Sequence, residues 1–474
     1  MTLVLLVGAQ FVVMLDTSIV NVALPTIQDR LGLSHTGAAW TVNAYFLAFG
    51  GTLLLGGRLA DTLGRRRLFT LAAVAFTVAS VGAALASTEV ILIAARAAQG
   101  LSAAVLSPTA MSILLASFPG NTRGRAMNAW GAASTLGGAI GVLVGGGVTA
   151  AWGWSAVFWI TVPITAIAAL STRRLIPADT STTRQRTPID ITGAASVTAA
   201  ALSLIYLAVS VPVQGFGAPG TIVASIGGVA AMVVFCLAER RAADPILPLV
   251  LFRSRTVSLG LVVSLLGGAA RASSFTIAAL YLQQVMRMDA GTAGLAMVPT
   301  SVAGFVVTIV GLPRALRRLG ARVTVTIGLV VLAVGHAWLS SASNWVHYTA
   351  GVLPGLLLIA VGVALSFTPT TILIADAMSS ERPGLAAGMA SASSQIGAAL
   401  GVAVLTASIV AHAGPQPVLG ASALSEGFKH AFLNAAGIAT TAALLALSLV
   451  IANRERPVFG MNRLRPVNAA SLPE

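Results

Sequence analysis

The chain has 474 residues, of which 56% are hydrophobic and 9% charged, with a mean hydropathy of +0.90. A soluble domain carries roughly 25% charged residues. The composition therefore excludes a soluble enzyme, a disordered chain and a secreted disulfide scaffold, and indicates a protein with many membrane spans. The net charge of +14 arises from 27 Arg and one Lys against 14 acids. One cysteine, Cys236, and five scattered histidines form no ligand cluster, so no metal and no cofactor is expected.

A bilayer core of about 30 Å takes roughly 20 apolar helical residues per crossing. The opening run MTLVLLVGAQFVVMLD lacks the charged start and small-residue cleavage site of a signal peptide, so it is expected to be the first span. Fourteen tracts meet this length in chain order: 3–27, 39–58, 68–88, 90–115, 126–150, 154–172, 190–212, 219–238, 256–285, 291–313, 322–341, 348–375, 386–411 and 428–452. An even count puts both termini on one side. With that side cytoplasmic, 23 of the 28 basic residues fall in cytoplasmic segments. The outer loops hold Arg30, Arg287 and Lys429, and Arg96 and Arg271 lie within spans. This asymmetry is a positive-inside signal for a multi-pass cell-membrane protein. It also accounts for the basic balance as an orientation code, so no nucleic-acid partner is expected.

Two internal repeats appear. The segment Gly57 to Arg66, between spans 2 and 3, returns as Pro313 to Arg322 between spans 10 and 11, offset by 256. Gly137 to Val142 in span 5 matches Gly397 to Val402 in span 13, offset by 260. The expected architecture is an all-α integral membrane protein with 14 transmembrane helices. It comprises a six-helix bundle over residues 1–172, a linker with two inserted helices over 173–255, a second six-helix bundle over 256–452, and a cytoplasmic tail over 453–474. Two repeated bundles around a midplane site follow the logic of a secondary transporter. No filter-like segment suggests a channel. No His/Asp pair or Ser/Lys dyad recurs within one turn of a span, so an enzyme is not expected. No phosphate-binding GxxxxGK[ST] loop is present, which excludes direct ATP coupling.

Asp16 is the one acid deep within a span. A carboxylate at a helix centre costs roughly 2.5–3.5 kcal/mol on insertion scales, and such residues default to function. That makes Asp16 a proton carrier in expectation, against the alternative of a fixed helix–helix hydrogen bond. Arg96 lies three residues before Gln99, on one helix face. It stays charged in the membrane and must face a cavity, carbonyls or a carboxylate. Arg271 interrupts span 9 after Gly267-Gly268, a pair expected to loosen the helix there. It could bind an anionic substrate group or serve interhelical packing. The expected substrate cavity comprises Gln10, Asn21, Asn43, Tyr45, Gln99, Trp130, Arg271, Phe275, Tyr281, Gln283, Gln284, Trp338, Phe367 and Gln395. Few polar groups on apolar walls suit amphiphile binding. Gly137, Gly141, Gly145 and Gly146, with Gly397 and Gly401, are expected to allow close helix packing.

Several ordered segments carry a resemblance. GRLADTLGRRR (Gly57 to Arg67) resembles the signature loop of the major facilitator superfamily. LDTSIVNVALP (Leu15 to Pro25), ARAAQG (Ala95 to Gly100) and the span-5 glycines resemble motifs of its fourteen-helix drug:proton antiporters. Where those antiporters usually carry Gly-Pro pairs, this chain reads Gly137-Gly138 and Gly141-Val142. The resemblance implies proton-coupled efflux of hydrophobic or amphiphilic drugs by alternating access, with Arg96 aiding proton transfer at Asp16. It also implies that Gly57, Asp61, Gly64, Arg65 and Arg66 form a cytoplasmic gate. There an Asp at a helix N-terminus would latch to an Arg on a neighbouring helix. Arg317 replaces the Asp in the second copy. The expected partners are a small-molecule substrate, protons and membrane lipid, with the protein acting as a monomer. Proton symport or facilitated uptake, and a non-transporting sensor or scaffold, stay open as alternatives.

Overall fold

The computed structural model describes residues 1–33, 35–119, 121–177, 191–215, 217–242, 249–341, 347–378, 383–413 and 421–454. Among the described residues the secondary structure is helical, with no strand. The first helices are α1 (Thr2–Leu31), α2 (His35–Leu63), α3 (Arg65–Ala84), α4 (Glu89–Ser117), α5 (Asn121–Trp152), α6 (Ala156–Trp159) and α7 (Thr161–Leu175). Two more follow, α8 (Ile191–Gln214) and α9 (Pro219–Arg241). The rest are α10 (Arg255–Gln284), α11 (Ala290–Ala296), α12 (Val298–Val306), α13 (Leu312–Ser341), α14 (Leu353–Ala377), α15 (Pro383–Ala413) and α16 (Ala421–Arg454). Ten helical stretches among the described residues are long and apolar enough to cross a membrane.

Several predicted tracts are broken, and proline explains where. The tract over 291–313 divides into α11, α12 and a π-turn at Val307–Gly311, with Pro299 in the first turn of α12. The tract over 348–375 opens with a π-turn at Tyr348–Val352 before Pro354 begins α14. Proline lacks an N–H and fits best in a first helical turn, although Pro25, Pro108 and Pro369 also sit inside helices. Asp289 caps α11, its Oδ1 accepting from the amides of Gly291 and Thr292 at 2.9 and 3.0 Å. The backbone and hydroxyl hydrogen bonds of Thr292 hold its carboxyl below the usual carboxylate range.

The predicted loop between spans 2 and 3 is nearly absent. Helix α2 runs on to Leu63, and one residue, Gly64 at φ 94°, turns the chain into α3. Gly320, its partner in the 256-residue repeat, also has a positive φ, 73°, at a kink inside α13. Only glycine takes such a backbone without strain. The repeat seen in the sequence is therefore a repeated turn.

Helices α1 to α7 pack among themselves around Phe49, Phe69, Phe76 and Leu106, and α10 to α16 around Val263, Leu329, Phe428 and Phe432. The two clusters meet where α2 lies against α15 and where α5 lies against α11 and α12. Helix α8 packs on α9, α2 and α15. Helix α9 leaves Val223, Ile226 and Val229 67–70% exposed, an apolar face suited to lipid.

In each cluster the repeated glycines hold a pair of parallel helices in backbone contact. A Cβ on Gly137 would collide with the carbonyl oxygen of Phe11, and one on Gly141 would stand 2.7 Å from that of Leu15. In the other cluster, a Cβ on Gly397 or Gly401 would collide with the carbonyl of Leu265 or Ala269. So α1 lies on α5 as α10 lies on α15. In lipid such van der Waals contact replaces the hydrophobic drive as the source of association.

Candidate functional site

Asp16 sits in mid-α1 with no exposure, enclosed by α2, α3 and α4. Arg96 Nη1 donates to Asp16 Oδ2 at 2.6 Å and to Gln99 Oε1 at 2.9 Å, and Arg96 Nε donates to the Thr41 carbonyl at 3.1 Å. Gln99 Nε2 donates to Asp16 Oδ1 at 3.2 Å and to Ser80 Oγ at 2.9 Å. Thr161 Oγ1 donates to Ser80 at 3.0 Å, extending the network to the start of α7. The ring of Tyr45 lies under the guanidinium, 4.4 Å from Cζ, and its hydroxyl donates to the Val13 carbonyl at 3.4 Å. Arg96 thus both pairs with a carboxylate and staples α4 to a backbone carbonyl of α2. Every polar atom of Gln99 is used. A buried charge pair is tolerable only with this degree of hydrogen bonding.

A separate, partly open cleft lies between the two clusters. Gln10, Leu53, Ser107, Met111, Met127 and Trp130 line one side, and Phe367, Thr368, Thr371 and Ser391 the other. Gln10 ties α1 into this wall. Its Nε2 donates to Ser134 Oγ at 3.0 Å and its Oε1 accepts from Ser107 Oγ at 2.7 Å. A mostly apolar wall with a few hydroxyls can accept an amphiphile and orient one polar end.

Of the residues expected around a cavity, Gln10, Trp130 and Phe367 line this one. Tyr45 and Gln99 belong instead to the Asp16 network, away from the cavity wall. Their helix, α2 or α4, is apolar on several faces, so its inward face is not legible from spacing. Asn21 donates to the Thr17 carbonyl of its own helix, and Asn43 is half-buried. Tyr281 is packed edge-on against Phe428 and Phe432, and Phe275 joins the same core. Gln283 and Gln395 are half-buried and Gln284 is exposed. Trp338 is 40% exposed, its indole donating to the Gly351 carbonyl at 2.9 Å. Ser80, Thr161, Ser107 and Ser134 were not singled out by the sequence, because an isolated hydroxyl in an apolar span carries no distinguishing pattern.

Arg271 is buried in mid-α10. Its Nη1 donates to Ser366 Oγ at 3.4 Å and its Nη2 to Ser394 Oγ at 3.3 Å, and its Cζ lies 5.6 Å from the Phe367 ring. Helix α10 is continuous through Gly267-Gly268, contrary to the expected loosening. The glycines make room: a Cβ on Gly267 would meet the Arg271 guanidinium, and one on Gly268 the Ser394 backbone. His336, fully buried, faces Ser274 Oγ at 2.9 Å through Nε2 and the Leu332 carbonyl at 2.8 Å through Nδ1.

In the expected gate, Asp61 falls in the last turn of α2 rather than at a helix N-terminus, which corrects the basis assumed for its latch. The side chain of Asp61 lies outside the described residues, and Gly57 occupies the same helix end. Arg65 and Arg66 open α3, and Arg66 Nη1 donates to the Ile176 carbonyl at 3.3 Å, tying α3 to the end of α7. Gly145 packs on Ile19, and Gly146 is buried beside it.

A model of the family described as Major Facilitator Superfamily matches residues 6–402. The cephamycin export protein CmcT of Amycolatopsis lactamdurans is 36% identical over 406 residues, covering 85% of this chain and 83% of that protein. The puromycin resistance protein pur8 of Streptomyces alboniger is 32% identical over 464 residues, covering 96% of this chain and 92% of that protein. A solved D-xylose-proton symporter superposes with a TM-score of 0.66 at 14% identity, covering 94% of this chain and 96% of its own, which is a likeness of fold. A family match over most of the length, on a many-span helical fold, means that the chain belongs to the Major Facilitator Superfamily, as a membrane-embedded transporter and not an enzyme.

Proposed function

We propose that the protein exports hydrophobic or amphiphilic small molecules from the cell by proton-coupled alternating access. The reading takes fourteen crossings, with α8 and α9 as an inserted pair, both termini cytoplasmic, and a monomer in the cell membrane. Relatives named for cephamycin export and puromycin resistance support small-molecule efflux. The observation that carries the proton coupling is the buried Asp16–Arg96–Gln99 network. Protonation of Asp16 removes the negative partner of Arg96 and leaves the guanidinium to Gln99 Oε1 and the Thr41 carbonyl. The strength with which α1 is held to α4 therefore depends on one proton. The cavity behind Gln10, Trp130 and Phe367 holds the cargo, and the turn at Gly64 with Asp61, Arg65 and Arg66 gates the cytoplasmic side. Each unit charge moving inward across 100 mV supplies about 2.3 kcal/mol.

The test is transport in proteoliposomes with ΔpH and Δψ imposed separately. Wild type moves cargo against the proton flow, and Asp16→Asn, inserted at the same level, loses ΔpH-driven transport. Undiminished transport in that variant refutes Asp16 as the proton carrier. Cargo accumulation along the proton gradient replaces export by symport.

A further inference from the structure

Guanidinium remains charged at all accessible pH and carries five N–H donors. Around Arg271 two serine hydroxyls accept at 3.3 and 3.4 Å, long against the usual value near 2.9 Å. No carboxylate among the described residues lies within 4 Å. The helices packed on α10 offer Ser366, Ser394 and His336 inside the cluster, and none is an anion. The acid nearest along α14 is Asp376, exposed and about 15 Å beyond Ser366 at 1.5 Å per residue. A cation 95% removed from solvent thus has hydrogen-bonding capacity and charge left over.

Its position says what meets that charge. Phe367 has one side on the cavity and the Arg271 guanidinium over its ring. Ser391, on the same wall, is one turn from Ser394 on α15, which touches Arg271. The Phe367 side chain and the Ser391–Ser394 turn therefore link the cation to the cavity wall. We propose that Arg271 is the anion-binding residue of the cargo site, and that the cargo it selects is an apolar or aromatic molecule bearing one carboxylate. The carboxylate enters between Phe367 and Ser391 and pairs with the guanidinium fork, while the apolar body stays against Met111, Met127 and Trp130. Ser366 and Ser394 hold the fork in place, and Gly267 leaves the space in which it lies.

This assignment rests on the export reading above. The probes are dansylglycine, its neutral amide, and a dansyl amine quaternised to a fixed cation. They are measured by fluorescence polarisation with the full-length protein in nanodiscs and by ΔpH-driven uptake into proteoliposomes. Wild type binds dansylglycine at least about tenfold more tightly than the amide, the scale of one charge-assisted bidentate contact, and the fixed cation most weakly. Arg271→Gln brings the acid-to-amide ratio to about 1, and Arg271→Lys keeps part of it. Ser394→Asp supplies an internal carboxylate beside Nη2 and cancels the preference while retaining Arg271, so a folding defect of one variant does not decide the outcome. Equal binding of acid and amide by wild type, or an unchanged preference in Arg271→Gln or Ser394→Asp, overturns the assignment. Amide transport in that case leaves export standing. A folded wild type that neither binds nor moves any probe overturns both.

Discussion

Arg96 in α4 and Arg271 in α10 are both buried arginines in apolar helices, one in each helix cluster. Arg96 has an internal carboxylate at 2.6 Å, an amide oxygen at 2.9 Å and a backbone carbonyl at 3.1 Å. Arg271 has two hydroxyls, both beyond 3.2 Å. Both lie over an aromatic ring, at 4.4 Å for Tyr45 and 5.6 Å for Phe367. Burial alone therefore does not tell what a cation does. The first arginine completes a self-contained network, and the second is left with unspent donors beside a cavity.

The comparison makes opposite predictions for the same substitution. Arg96→Met strands the Asp16 carboxylate in the interior, and breaking a buried pair from one side costs about 3–5 kcal/mol. Unfolding in mixed detergent micelles should show that loss, and Asp16→Asn added to Arg96→Met should recover part of it as a coupling energy. Arg271→Met removes a buried cation with no internal counter-charge, so the same assay should show stabilisation of up to about 2.5–3.5 kcal/mol. A loss on Arg271→Met as large as that on Arg96→Met would mean that the serine pair satisfies the charge, and the contrast would fail.

The smallest effects test whether the two clusters are built alike. Gly137→Ala and Gly397→Ala each press a methyl onto a carbonyl of the paired helix, and overpacking of this kind costs about 1–3 kcal/mol. Gly147, on the same helix as Gly137 with open space around it, serves as the control. Gly147→Ala should be neutral or stabilising by about 0.4–1 kcal/mol, because the unfolded chain loses freedom. Thermal denaturation in nanodiscs ranks the three.

The i, i+3 spacing of Arg96 and Gln99 put both on one face, and they do share Asp16. The 256-residue offset located two positive-φ glycines, and the 260-residue offset located two glycine contacts with a neighbouring backbone. These signals are local, or repeat a local pattern. The cavity wall was less legible. Helix α1 is apolar on nearly every side, so nothing in its spacing says that Gln10 faces the cavity while Asp16 faces α4. Polar groups within spans, Tyr45 and Gln99 among them, read as cavity residues in a sequence. Their true neighbours depend on which helices pack together, and that is a long-range property.

One consequence concerns α1 itself. Gln10 is on the cavity wall and Asp16 is in the closed network, about 9 Å further along the same helix. Gly137 and Gly141 bring α5 against the stretch between and just beyond them, backbone to backbone. A proton at one point and cargo at the other never share space, so on the proposed mechanism they do not compete for a seat. They act on two stations of one stiff rod, and exchange becomes a matter of leverage: what tilts the rod at Asp16 moves the wall at Gln10.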